Sequence, residues 1–96
     1  MNARGGHTMP TPRRVTCVDK GSHHHEGITH LGGSGWRETR AEVVRQIEDG
    51  DYEYYTHEGG KRADVKVRSR DGVKYVQTQA DGEWTDNLLA LEACPQ

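Results

Sequence analysis

Apolar positions change their spacing along this chain, and the change divides it into elements. Ala41, Val43, Val44 and Ile47 fall at helical intervals, with Arg40, Glu42, Arg45, Gln46 and Glu48 on the wet side. Thr39 stands three residues before Glu42, the spacing of a capping box. Gly50 sits where a left-handed residue closes a helix. The spacing predicts one helix over Thr39–Asp49. At about three turns it is too short to persist without a sheet beneath it. Trp36, just ahead, is expected to cover the open end of that packing.

Elsewhere the period is two. Val15–Val18 reads as a strand ending at Asp19, and Ile28–Leu31 as a second, stopped by Gly32-Gly33-Ser34-Gly35. After Gly50, Tyr52–Thr56 is aromatic and β-prone, and His57-Glu58-Gly59-Gly60 reads as a hairpin turn. Ala63, Val65 and Val67 then alternate with Asp64, Lys66 and Arg68, the pattern of a half-buried strand. Asp71-Gly72 is a strong hairpin signal leading into a partner strand Val73–Thr78, and Asp81-Gly82 makes another turn. Trp84 and Leu88–Leu91 are expected to close the core, with Asn87 as a local cap and Pro95 ending regular structure. The predicted order is β-β-α-β-β-β. The fold class is α+β: a small antiparallel sheet with one main helix on one face. Residues 1–13 read as a flexible, disordered tail, and residues 14–96 as a single domain.

Composition narrows the function. A chain of 96 residues holds one domain, and folding would bury only about two-thirds of its surface. Charged residues make up 29%, yet the net charge is -2, which argues against general affinity for nucleic acid and leaves only a local basic face. The apolar runs are a few residues long, too short to span a membrane. Arg13 and Arg14 have no apolar stretch beside them, so no signal peptide is read. A cytoplasmic location follows by default, without a membrane partner.

Three constellations carry candidate chemistry. Cys17, the run His23-His24-His25, His30 and Cys94 are donors that suit zinc. Within that set Cys17, His25, His30 and Cys94 are the candidate ligands, although the spacing matches no strong zinc signature and the base expectation is no cofactor. The two cysteines have three readings: partly buried thiols in a reducing compartment, a disulfide closing a long loop, or a shared metal. The second constellation is basic. Lys61 and Arg62 enter a strand, Lys66, Arg68 and Arg70 project from its polar face, and Lys74 is read across from them. Such a ladder suits phosphates, and Tyr52, Tyr54, Tyr55 and Tyr75 offer stacking surfaces. Glu53, Asp64 and Asp71 lie close by, which favours an ordinary solvated face. The third constellation is carboxylate-rich: Asp81, Glu83 and Asp86 at one turn, His57 and Glu58 at another. These sit with Gly82 and Asn87 in ordinary turn chemistry. The Gly32–Gly35 stretch before the helix is a weak match to a phosphate cradle, lacking the Gly-Lys-Ser/Thr ending.

The ordered motifs resemble a bacterial and phage domain-of-unknown-function family, number 3892. The resemblance rests on Val15–Lys20, Ile28–Gly33, Trp36 with the helix entry Thr39–Val44, Gly59–Val67, Lys74–Thr78, Ala80–Gly82, Asp86–Leu91 and Cys94. It covers about residues 14 to 95. The segment after Leu91 departs from it, where a proline is expected, and the histidine run is peculiar to this chain. The resemblance implies a domain boundary and no reaction. The resulting expectation is a small non-enzymatic binding module, acting on a protein partner or as a homodimer through its sheet edges. The alternative is nucleic-acid binding through Lys66, Arg68, Arg70 and Lys74.

Overall fold

The computed structural model describes residues 9–22 and 24–95. Its strands are β1 (Thr11–Arg14), β2 (Cys17–Lys20), β3 (Ile28–Gly33), β4 (Trp36–Thr39), β5 (Tyr52–Glu58), β6 (Lys61–Arg70), β7 (Val73–Ala80) and β8 (Glu83–Thr85). Helix α1 spans Arg40–Asp49, the short α2 spans Asn87–Ala90, and a single 3-10 turn covers His25–Gly27. A five-stranded sheet has the order β1-β5-β6-β7-β8, and a three-stranded sheet the order β2-β3-β4. Among the described strands all pairs are antiparallel except β1 with β5, and an isolated parallel bridge joins Cys17 to Glu92.

The α+β class and the main helix agree with the sequence pattern. Thr39 caps α1 by accepting a bond at 3.2 Å from the Glu42 amide, and Gly50 closes it in the left-handed region at φ 77°. Asp71-Gly72 and Asp81-Gly82 both place two consecutive residues at positive φ, as tight two-residue hairpins require.

The single antiparallel sheet needs correction. Two sheets form because Val15 and Thr16 pair in different directions. The Val15 amide donates to Tyr55 O at 2.7 Å in the large sheet, and the Thr16 amide to Gly32 O at 2.9 Å in the small one. What reads as one strand over Val15–Val18 is therefore the crossing at Val15-Thr16 followed by the first half of β2. β1 also falls mostly within residues 1–13, the stretch read as tail; residues 1–8 lie outside the described residues. β4 and β8 are further strands that the alternation did not reveal. Gly32 and Gly33 belong to β3, so Ser34-Gly35 is a hairpin turn rather than a phosphate loop.

The core lies between the sheets and α1. It joins Val15, Val18, Ile28 and Leu31 to Val43, Val44, Tyr54, Val65, Val76, Leu88 and Leu91. Leu88 and Leu91 close it as expected. Trp84 does not: it stands on β8 with 42% of its surface exposed. No described helix is long and apolar enough to cross a membrane.

Candidate functional site

The β6–β7 register decides which basic residues share a surface. Directly opposed residues lie on the same face. Val65 opposes Thr78 and Val67 opposes Val76, so these point into the core. Asp64, Lys66 and Arg68 lie on the other face with Gln79, Gln77 and Tyr75, where Lys66 is exposed, Asp64, Arg68 and Gln79 are half-buried, and Gln77 and Tyr75 are buried. Arg70 follows at the same two-residue interval. Lys74 opposes Ser69, one residue out of phase, and its ammonium binds Glu48 of α1 at 2.7 Å. The four-membered ladder thus loses Lys74, because a single-residue offset in a strand reverses the face.

The remaining three differ in how they are held. Arg68 lies 4.2 Å over the centre of the Trp84 ring and donates to Gln77 Oε1 at 2.8 Å. Trp84 opposes Gln79 and therefore shares the outer face. Arg70 reaches Glu26 at 3.2 Å. Lys66 is exposed and has no ion-pair partner among the described residues. At the other end of β6, Arg62 lies 4.3 Å over the Tyr55 ring of β5 and is tied to Glu53 and Asp64 at 3.2 and 3.1 Å. The outer face is therefore two arginine–aromatic stacks, Arg62–Tyr55 and Arg68–Trp84, flanking Lys66.

The candidate metal ligands fall apart into separate environments. Cys17 and Cys94 form a disulfide with Cα atoms 4.8 Å apart. Neither sulfur is a thiolate donor in this state. The bond fixes the C-terminal segment against β2, where the Val18 amide donates to Glu92 O at 3.0 Å and the Cys94 amide to Asp19 Oδ1 at 3.2 Å. Gly32 makes room for it: a Cβ there would lie 2.8 and 2.9 Å from the two sulfurs. The Arg37 guanidinium, 2.5 Å from Asp19, together with the Cys94 amide, holds the Asp19 carboxyl below its usual range against the opposing cost of burial. His30 lies 3.9 Å from the same carboxylate. His25 is in the 3-10 turn, 3.9 Å from Asp86, with a buried Nε2 that meets no hydrogen-bond partner among the described residues. Burial pushes its pKa down, partly offset by Asp86 and Glu26. His23 lies outside the described residues. Among the described residues no three metal-type donors converge.

The carboxylates of the third constellation are open to solvent. Asp81 pairs with Lys61 at 3.1 Å with 79% of its side chain exposed, and Asp86, ahead of α2, is 82% exposed. His57 and Glu58 belong to β5, and Glu58 faces Arg14 at 3.7 Å. Nothing there isolates one carboxyl from water, which raising its pKa for acid–base work requires.

A second cluster was not legible in the sequence. Trp36, expected at the helix entrance, instead lies on β4 against Tyr54, ring centres 5.3 Å apart. Tyr52 packs on Tyr54 at 5.8 Å. The Arg13 guanidinium enters this group, 4.1 Å from the Tyr52 ring, 4.6 Å from Trp36 and 5.8 Å from Tyr54. It donates to Tyr54 Oη at 3.0 Å and lies 3.5 Å from Glu38. The only sequence signal was Arg13-Arg14 beside a β-prone pair, obscured by the two prolines and the short strand.

No curated protein and no solved structure matches this chain. A family model described as "Protein of unknown function (DUF3892)" matches residues 14–92. Its span runs from the end of β1 through α2, taking in both sheets and α1. The chain belongs to that family, as the ordered motifs of its sequence suggested.

Proposed function

We propose that this domain is a non-enzymatic interaction module that takes a protein partner on the outer face of its five-stranded sheet. The observation that carries this reading is the exposed Trp84 with the Arg68 guanidinium carbon 4.2 Å from its ring centre. Protein interfaces favour tryptophan, tyrosine and arginine at their centres, and this face presents Trp84, Tyr55, Arg62 and Arg68 together. Stacking and the Gln77 bond restrict Arg68 before any partner arrives, lowering the ordering cost of binding. No cofactor enters this reading; zinc is the alternative attached to the dispersed histidines and cysteines. A cytoplasmic setting is part of the proposal and predicts that Cys17 and Cys94 are largely thiols in the cell.

One observation favours nucleic acid as a second reading. Lys66 has no anionic partner among the described residues, and Arg68 bonds a neutral amide. Against it, Arg62 and Arg70 are already neutralised by Glu53, Asp64 and Glu26.

The test places a photo-crosslinking residue at position 66, and separately at position 45 on the exposed side of α1, in the protein expressed in its native host. A discrete protein adduct from position 66, absent from position 45 and lost when Trp84→Ala is added, is the expected result. Equal adducts from both positions sink the assignment of the face. A salt series with single- and double-stranded oligonucleotides separates the second reading: binding that weakens steeply with salt supports nucleic acid.

A further inference from the structure

The Cys17–Cys94 disulfide stands outside the hydrophobic core. Val18 and Leu31, paired across β2 and β3, point inward and are fully buried. Cys17 and Gly32, one residue out of phase with them, look away from that packing on the other face of the small sheet. Asp19 and His30 share this second phase. Arg37, opposite Gly32 on β4, crosses β3 to reach Asp19 at 2.5 Å. Both sulfurs rest over Gly32, in the space a Cβ would take.

Cys94 arrives on a short strap. Leu91 is the last residue of the core, and of residues 92–95 only Cys94 is buried. The strap's hydrogen bonds to β2 run from the Val18 amide to Glu92 O and from the Cys94 amide to Asp19 Oδ1. A cavity of about 410 Å³, lined in part by Thr16, Leu91 and Glu92, opens beside it. With the disulfide cut, lifting the strap breaks those bonds and takes no residue out of the core. Glu92 and Ala93, both exposed, supply the hinge between Leu91 and Cys94.

We propose that Cys17 and Cys94 form a reversible thiol–disulfide exchange site, which a dithiol reductant opens while both sheets stay folded. A thiolate of the reductant attacks Cys94 Sγ, carried outward on the strap. The Cys17–Cys94 bond breaks, and Cys17 leaves as a thiolate and takes a proton from solvent. The reductant's second thiolate then displaces Cys94, which is protonated in turn, and the reductant ends as its own disulfide. Two electrons and two protons pass to the protein in all. The Arg37 guanidinium, on the same face, favours the departing Cys17 thiolate. The opened state frees the strap and bares the Val18 amide on the edge of β2. Asp19, held by Arg37, stays in place to receive the Cys94 amide on reoxidation. The inference concerns the small sheet and stands or falls separately from the docking face above.

The experiment uses the full-length oxidised protein with excess dithiothreitol, following the release of thiols at a series of low urea concentrations. Lifting the strap exposes little surface, so the rate should rise less than about threefold per molar urea. A steeper rise, toward the roughly fivefold or more that global unfolding gives, overturns the proposal, because the bond then opens only in the unfolded chain. Amide spectra of the reduced protein give the second reading. The β6 and β7 amides should keep their folded resonances and their protection from hydrogen exchange, while those of Val18 and Cys94 exchange at about the rate of unstructured chain. Loss of the β6 and β7 signals makes the disulfide a structural one and overturns the proposal. Continued protection of Val18 and Cys94 after reduction overturns it as well, because the strap would then not be released.

Discussion

Arg68 and Trp84 form a cation–π pair on the outer face of the large sheet, 4.2 Å from guanidinium carbon to ring centre, although neither belongs to the hydrophobic core. An exposed pair of this kind contributes about 0.5–1 kcal/mol to stability. Trp84→Ala should therefore leave the fold intact, lowering stability in urea denaturation by no more than about 1 kcal/mol. A loss of several kcal/mol would place Trp84 in the core, where the sequence pattern first put it.

The Cys17–Cys94 disulfide closes a separation of 77 residues. Loop-closure entropy for that length gives about 4 kcal/mol of stabilisation. Urea midpoints with and without a dithiol reductant should differ correspondingly, and Cys94→Ser should match the reduced protein. Gly32→Ala should hinder the same bond, because its methyl would meet both sulfurs. Thiol trapping in the native host reports the compartment: free thiols agree with the cytoplasm, a closed disulfide with an oxidising setting.

Two groups shape the pH dependence with the same sign. His25 titrates below its ordinary 6.5 because it is buried, so the unfolded chain binds its proton more tightly. Stability from the neutral ring is complete above about pH 6.5 and declines as pH falls toward the lowered folded value. Asp19, held low chiefly by Arg37, acts later, its contribution declining as pH falls below its ordinary 3.8. Denaturation midpoints across this range should flatten near pH 6 in His25→Leu and at the acid end in Asp19→Asn. An unchanged profile for His25→Leu would mean that His25 does not titrate differently on folding.

Tyr54 links three elements: its hydroxyl donates to Gln46 of α1 and receives the Arg13 guanidinium of β1. Tyr54→Phe keeps the ring packing and strands the nearly buried Gln46 carbonyl. The expected cost is about 1–3 kcal/mol, read by thermal or urea denaturation. Arg13→Ala in the same background should cost less than in wild type, since the two share a bond.

Local chemistry was the legible part of this chain. Thr39, Glu42 and Gly50 marked α1, and the two Asp-Gly pairs marked their hairpins, because caps and tight turns are set by neighbouring residues. Pairing partners were not legible. Nothing local tells Val15 to bond Tyr55 while Thr16 bonds Gly32, and that divergence makes two sheets from one apparent strand. Lys66, Arg68 and Arg70 share one strand phase, as their two-residue spacing implies. Lys74 was misplaced because its phase depends on the length of the Asp71-Gly72 turn. Trp84 was misjudged because a large ring in a weakly apolar chain is expected inside, whereas β8 is short and turns it onto the outer face. The Arg13 cluster required three separate elements, β1, β4 and β5, to meet and left almost no trace in the spacing.

The most direct measurement for the docking face is a calorimetric titration of the crosslinked partner, once purified, against wild-type protein and Trp84→Ala. A central aromatic of this kind should weaken binding by about 2 kcal/mol, roughly thirtyfold, with the fold unchanged by circular dichroism. Equal affinity for both proteins would contradict the assignment of the Arg68–Trp84 face as the binding surface.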